Sequence, residues 1–188
     1  MSYGLGTVPG ALIVAGRHGV DLRSTGDGNP GAWNALEQLG WRRAWPAFVI
    51  DGLKGVLAAI LGWAILGFAP WERPEAARLD AWLPWVCVAA AMLGHAFPLP
   101  RPARGGKSVM TFCGGAIALV PYAGLPLLAL FLAGIAAKRA GLAARAAVFA
   151  FPFAQAAATP LVQVGWSGAL MTLIGLLFLV RSGDRRSA

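Results

Sequence analysis

Lys107 follows two glycines and precedes a long apolar run, in the order Arg104-Gly105-Gly106-Lys107-Ser108. The glycines bare the backbone, the coming helix N-terminus offers the positive end of a dipole, and the ammonium adds a full charge. This combination suits a phosphate group and can stabilise negative charge that develops during group transfer. The plainer reading is a basic stop signal made flexible by glycine. A second loop, Arg23-Ser24-Thr25-Gly26-Asp27-Gly28-Asn29-Pro30-Gly31, contains the pattern GxGxxG. No strand precedes it, so a dinucleotide fold is rejected. Clustered glycines still let backbone N–H groups close around an anion; the alternative is a flexible turn.

Asp51 and Lys54 stand three residues apart inside an apolar stretch and so share a helix face. Ionisable groups at membrane depth face the protein interior, either as a structural ion pair or as part of a substrate site. His95 closes another apolar run in Gly94-His95-Ala96-Phe97-Pro98, where a lone histidine reads first as a satisfied interfacial residue. Cys87 and Cys113 lie within apolar runs and read as small core residues rather than a disulfide or metal pair. With only two histidines in the chain, a histidine-rich metal site is excluded, and no metal or cofactor is expected.

The elements that must position these groups are membrane helices. The chain has 188 residues, 57% of them hydrophobic and only 13% charged, with a mean hydropathy of +0.63. A soluble domain carries about twice that charged fraction. The composition excludes a disordered chain and argues against a soluble globular domain, and the length leaves no room for a separate catalytic domain beside the helices. The net charge of +8 reads as basic loops facing an anionic leaflet, not as a nucleic-acid surface.

Apolar runs predict about seven short spans, near 4–17, 46–68, 81–97, 108–119, 122–137, 142–159 and 164–180, in a single membrane domain. The first run lacks a basic lead and is broken by Pro9, so it is a poor signal peptide. The stretch 108–137 is long for one span and short for two, and the charges decide for two. A break near Pro121 places thirteen of the sixteen basic residues on one side, including Arg17, Arg42, Arg43, Arg101, Lys138, Arg139 and Arg145. The positive-inside rule then sets the N-terminus outside and the C-terminus inside. The eight tryptophans mostly fall near span ends, as an aromatic belt.

Three motifs, in order and spacing, resemble the bacterial acyl-phosphate:glycerol-3-phosphate acyltransferase family, known as PlsY. The first is Gly6-Thr7-Val8-Pro9, then Gly19-Val20-Asp21-Leu22-Arg23 running through the glycine loop to Asn34 and Gly40. The second is Asp51-Gly52-Leu53-Lys54-Gly55, and the third joins Gly94-His95-Ala96-Phe97-Pro98 to Arg104-Gly105-Gly106-Lys107. The resemblance implies a seven-helix protein of the bacterial inner membrane, active on its cytoplasmic face. It implies transfer of a fatty acyl group from acyl phosphate to glycerol 3-phosphate, giving lysophosphatidate and phosphate. Lys107, Gly105 and Gly106 are then the catalytic group. Arg23, Gly26, Asp27, Gly28, Asn29, Gly31, Asn34, Asp51, Lys54, His95 and Arg104 are placed at the substrates. No side-chain nucleophile stands out, so the acceptor hydroxyl attacks directly.

The chain also departs from the family pattern. The family loop reads Gly-Ser-Gly-Asn, where this chain has Asp27; Glu37 replaces an arginine, Trp33 a threonine and Gly141 a serine. A C-terminal His-x-x-Asn-x-x-Arg stretch is missing. Two acids repel a phosphate dianion unless neutralised, for example by Arg23, Arg42 or Arg104, so the acceptor is glycerol 3-phosphate or a relative. The alternative is a non-catalytic or regulatory membrane protein on the same scaffold. Geometry discriminates: an open pocket where Asn29 and Lys107 converge marks an enzyme, and a collapsed apolar site marks a scaffold.

Overall fold

The computed structural model describes residues 1–68, 82–157 and 159–183, and among them all regular structure is helical. The charges expected at 72–80 and the tail from Asp184 lie outside the described residues. In chain order the helices are α1 (Ser2–Gly6), α2 (Gly10–Gly16), α3 (Ala32–Leu39), α4 (Trp41–Ile65), α5 (Trp82–Ala96), α6 (Val109–Leu119), α7 (Pro121–Ala136), α8 (Ala140–Ala156) and α9 (Leu161–Gly183). Trp41–Ile65 and Leu161–Val180 are long and apolar enough to cross a bilayer by themselves, while Ser2–Gly16, Trp82–Ala96, Val109–Leu119, Pro121–Ala136 and Ala140–Ala156 are shorter apolar helices.

Polarity is inverted relative to a water-soluble bundle. Val49, Leu53 and Leu57 form an outward stripe along α4, each between 46% and 48% exposed, while Asp51 and Lys54 on the same helix are buried. An exposed leucine stripe over buried charges is stable only where the surrounding solvent is apolar.

Proline sets the breaks. Val120, with φ −133° and ψ 64°, separates α6 from α7, and Pro121 is the first residue of α7. The proline ring excludes a helical conformation for the residue before it and suits the first helical position. Pro9 likewise separates α1 from α2, so the first apolar run is two short helices. The region before the second expected span also differs from the sequence expectation. The polar stretch 17–43 contains α3, whose Ala32, Ala35, Leu36 and Leu39 repeat at helical spacing and pack toward the core. The next helix begins at Trp41, with Pro46 inside it rather than at its start. Proline has no N–H to donate, so the bond to the Arg42 carbonyl is lost there.

Glycine lets the central helices touch backbone to backbone. A β-carbon on Gly55 of α4 would collide with the Thr111 carbonyl of α6, and one on Gly114 of α6 with the Gly52 carbonyl of α4. α1 and α5 cross in the same way, Gly6 against Ala91 and His95, and Gly94 against Tyr3. Small residues at such crossings are how helices pack in lipid, where tails offer leucine no hydrophobic advantage. α8 and α9 are joined instead by a buried polar contact, Ser167 Oγ donating to Gln155 Oε1 at 2.5 Å.

Gly55→Leu therefore forces α4 and α6 apart and abolishes the monodisperse folded species in size-exclusion chromatography. Gly168→Ala, with open space around its β-carbon, leaves yield and thermal midpoint unchanged.

Candidate functional site

At the centre of the packing Lys54 Nζ lies 2.6 Å from Asp51 Oδ1 and 3.0 Å from His95 Nδ1. Asp51 Oδ1 is 3.9 Å from the same ring nitrogen. The Asp51 and Lys54 side chains are 1% and 4% exposed. An ammonium only donates, so Nδ1 is the acceptor and a neutral His95 carries its proton on Nε2. Three residues on α4 and α5 thus form one buried polar cluster, and it fixes the histidine ring at the end of α5.

The glycine loop is folded from within. Asn34, fully buried on α3, donates through Nδ2 to the carbonyls of Leu22 at 2.9 Å, Thr25 at 3.0 Å and Asn29 at 3.1 Å. Gly26 and Gly28 have φ of +58° and +63°, and a β-carbon on Gly26 would strike Asn34 Oδ1. The Asp27 carboxylate accepts from the Asn29 amide through Oδ1 at 3.0 Å, and its Oδ2 meets Lys107 Nζ at 3.0 Å. That ion pair ties the two glycine-rich loops together across eighty residues of sequence.

The Gly105-Gly106 pair works differently from the sequence expectation. The Gly106 amide donates to the His95 carbonyl at 3.1 Å, so it is not free to hold an oxyanion. A β-carbon on Gly105 would collide with the Ala96 carbonyl, and one on Gly106 with His95 Nε2. The two glycines let the loop fold flat against the end of α5. Ser108 then adopts a left-handed conformation with φ +61° and caps α6, while its hydroxyl donates to the Met92 carbonyl at 2.6 Å. Lys107 emerges from this turn at 14% exposure, with Nζ 4.4 Å from the centre of the Phe178 ring of α9.

A cleft of about 520 Å³ opens beside these groups. Its polar end is lined by Asp27, Asn29, Glu37, Asp51, His95 and Lys107, and its remainder by apolar side chains of α6 to α9, among them Phe112, Phe131 and Phe151. Val148 and Phe178, both lining, are 47% and 44% exposed, so the apolar arm is open at its side.

The structure sorts the expected site residues into three groups. Asp27, Asn29, Gly31, Asp51, His95 and Lys107 line the cleft together. Gly26, Gly28, Asn34, Gly105, Gly106 and Lys54 do not line it, and they shape or anchor its walls; Asn34 in particular is consumed by loop carbonyls and has no donor left for a substrate. Arg23 and Arg104 face a separate cleft. The departures at 33 and 37 pair with each other: the Trp33 indole N–H donates to Glu37 Oε1 at 2.7 Å. The acids thus find partners in Lys107 and Trp33. Sequence reading missed Arg145 and Phe178 as lining residues. Arg145 was counted only as loop charge, although it falls one helical turn after Gly141 on the same face of α8.

The family model for glycerol-3-phosphate acyltransferase matches residues 1–185. A glycerol-3-phosphate acyltransferase of Rubrobacter xylanophilus is 36% identical over 155 residues, 82% of this chain and 72% of the relative. One from a Jannaschia species is 36% identical over 178 residues, 94% of this chain and 81% of its own. Among solved structures, PlsY in its glycerol 3-phosphate form, described as an integral membrane glycerol 3-phosphate acyltransferase, is similar over 99% of this chain and 86% of its own. The TM-score is 0.71 and the identity 29%. Its lysophosphatidic acid form gives a TM-score of 0.69 at 28% identity.

Lys54→Met leaves the Asp51 carboxylate buried without its cation and costs about 3–5 kcal/mol of stability. The double change Asp51→Leu with Lys54→Met costs less than either single change. Thermal unfolding in detergent of the three variants checks the order.

Proposed function

Because the chain belongs to the glycerol-3-phosphate acyltransferase family, we propose that it transfers a fatty acyl group from acyl phosphate to the 1-hydroxyl of glycerol 3-phosphate in phospholipid synthesis. The observation that carries this reading is the cleft itself, in which a polar end with Asn29, His95 and Lys107 is continuous with an apolar arm open at its side. A small phosphorylated acceptor fits the first and a fatty chain the second. A collapsed, side-chain-filled site would have favoured a scaffold.

In this reading the acceptor hydroxyl attacks the acyl carbonyl carbon, a new C–O ester bond forms and the bond to the phosphate oxygen breaks. The hydroxyl proton leaves with the departing phosphate, so no acyl-enzyme is needed. Ser108 is no nucleophile, since its hydroxyl is committed to the Met92 carbonyl. Lys107 supplies positive charge where the phosphate gathers it, and the dipole of α6 begins at the adjacent residue. Arg145 is a second cation on the cleft wall and suits the acceptor's phosphate, a role the acid at Glu37 cannot fill. Asp27 competes with both substrates for Lys107, because its carboxylate already occupies the ammonium.

The membrane arrangement follows the charges: seven spans with the N-terminus outside, the C-terminus inside and both glycine-rich loops on the cytoplasmic face of the inner membrane. Single cysteines placed at Glu75 and Ala140, in a chain with Cys87 and Cys113 replaced by serine, then label from opposite faces of sealed vesicles. Labelling from the same face removes the seven-span arrangement.

The function is tested with purified protein, acyl phosphate and glycerol 3-phosphate, with lysophosphatidate read by mass spectrometry. Lys107→Ala lowers turnover by about two orders of magnitude or more while the thermal midpoint stays near that of the native chain. Asp27→Ser combined with Glu37→Arg frees the ammonium and lowers the KM for glycerol 3-phosphate about tenfold, which corresponds to about 1.4 kcal/mol. A fully active Lys107→Ala protein rules out the phosphate role of that loop.

A further inference from the structure

Behind the Gly105-Gly106 wall lies a second cleft, of about 300 Å³. Three segments far apart in sequence build it: the Thr7-Val8-Pro9 break between α1 and α2, Arg23 and Pro30 of the glycine loop, and the stretch 98–106 that leads to Lys107. Arg23, Arg101 and Arg104 all line it, and no carboxylate does. Among the described residues none of these three guanidinium groups has a carboxylate within ion-pair distance. The contrast with the rest of the site is sharp, since Lys54 and Lys107 are each matched by an aspartate.

Three unmatched cations gathered around one concavity repel one another, and the arrangement is relieved when an anion enters. Guanidinium groups present paired N–H donors that fit the oxygens of a tetrahedral oxyanion, two at a time. The rim adds a second feature: Val8 and Leu99 line the cleft and are 43% and 69% exposed. Apolar groups beside arginines suit a ligand whose charged head carries a hydrocarbon tail, as well as a bare ion. His95 is common to both clefts, so the second lies one side chain away from the first.

We propose that this arginine-lined cleft is a second anion site that takes a phosphate dianion, either free orthophosphate or the phosphomonoester head of a lipid. The geometry alone carries the site. The reaction read above releases both kinds of phosphate next to it, but binding here does not depend on that reaction.

The test uses the full chain in phosphatidylcholine nanodiscs at fixed ionic strength, with radiolabelled orthophosphate in equilibrium binding and sulfate and chloride as competitors. Lys107→Ala combined with Arg145→Gln removes both cations lining the first cleft and serves as the background. Orthophosphate binding persists in that background. It weakens about tenfold or more when Arg101→Gln and Arg104→Gln are added, and by a smaller factor with Arg101→Lys and Arg104→Lys, which keep the charge but lose the paired donors. Arg101 and Arg104 are exposed, and unchanged thermal midpoints confirm that the variants fold. Displacement by phosphatidate in the bilayer, but not by phosphatidylglycerol, assigns the cleft to a lipid phosphomonoester; displacement by neither assigns it to the free ion. The proposal is overturned by absent binding in that background, by binding indifferent to the changes at Arg101 and Arg104, or by equal displacement with phosphatidylglycerol, which shows charge attraction alone. Because binding is read without acyl transfer, an inactive enzyme that binds phosphate here refutes the functional reading and leaves this site standing.

Discussion

One buried ion pair organises the molecule. Lys54 and Asp51 sit on a helix whose outer face is leucine and valine, and neither charge can remain in lipid alone. Each is stable only because the other is there, and the ammonium has a further donor to spend on His95. That third contact joins α4 to the end of α5 and points the imidazole into the cleft. The glycine crossings make the contact geometrically feasible. With Gly52, Gly55 and Gly114 at the interface, α4 approaches α6 at backbone distance.

The glycines of the site loops serve ends other than flexibility. Gly26 and Gly28 adopt conformations that side chains rarely take, and the Asn34 amide gathers three carbonyls beneath them. Gly105 and Gly106 are there to permit contact with α5. In each loop the small residue creates room, and a polar group elsewhere fills it. The Asp27–Lys107 pair then couples two loops that would otherwise be placed independently.

Much of this architecture was legible in the sequence. Asp51 and Lys54 declared a shared face by their spacing, and Pro121 declared a break. Lys107 declared itself by standing between two glycines and an apolar run. What escaped had weaker local signals. α3 is short and lies in a polar stretch, so its apolar repeat is masked by a search for long hydrophobic runs. The Gly106 amide looked available because a motif does not reveal which carbonyl lies opposite. Arg145 looked like topology because one basic residue near a span end serves equally well as a sorting signal and as a lining group. The partners of Asp27 and Glu37 were sought among Arg23, Arg42 and Arg104, whereas Asp27 meets Lys107 and Glu37 meets Trp33 one turn back on its own helix.

The side opening of the apolar arm has a kinetic consequence. A ligand with a hydrocarbon tail reaches that arm from the bilayer, while a small phosphorylated ligand reaches the polar end from water. The two encounters are governed by different measures of abundance, molar concentration for one and mole fraction among lipids for the other. Diluting the membrane with inert lipid slows the first encounter and leaves the second untouched, whereas adding buffer does the reverse. A single saturation constant therefore cannot describe two ligands that arrive by these two routes.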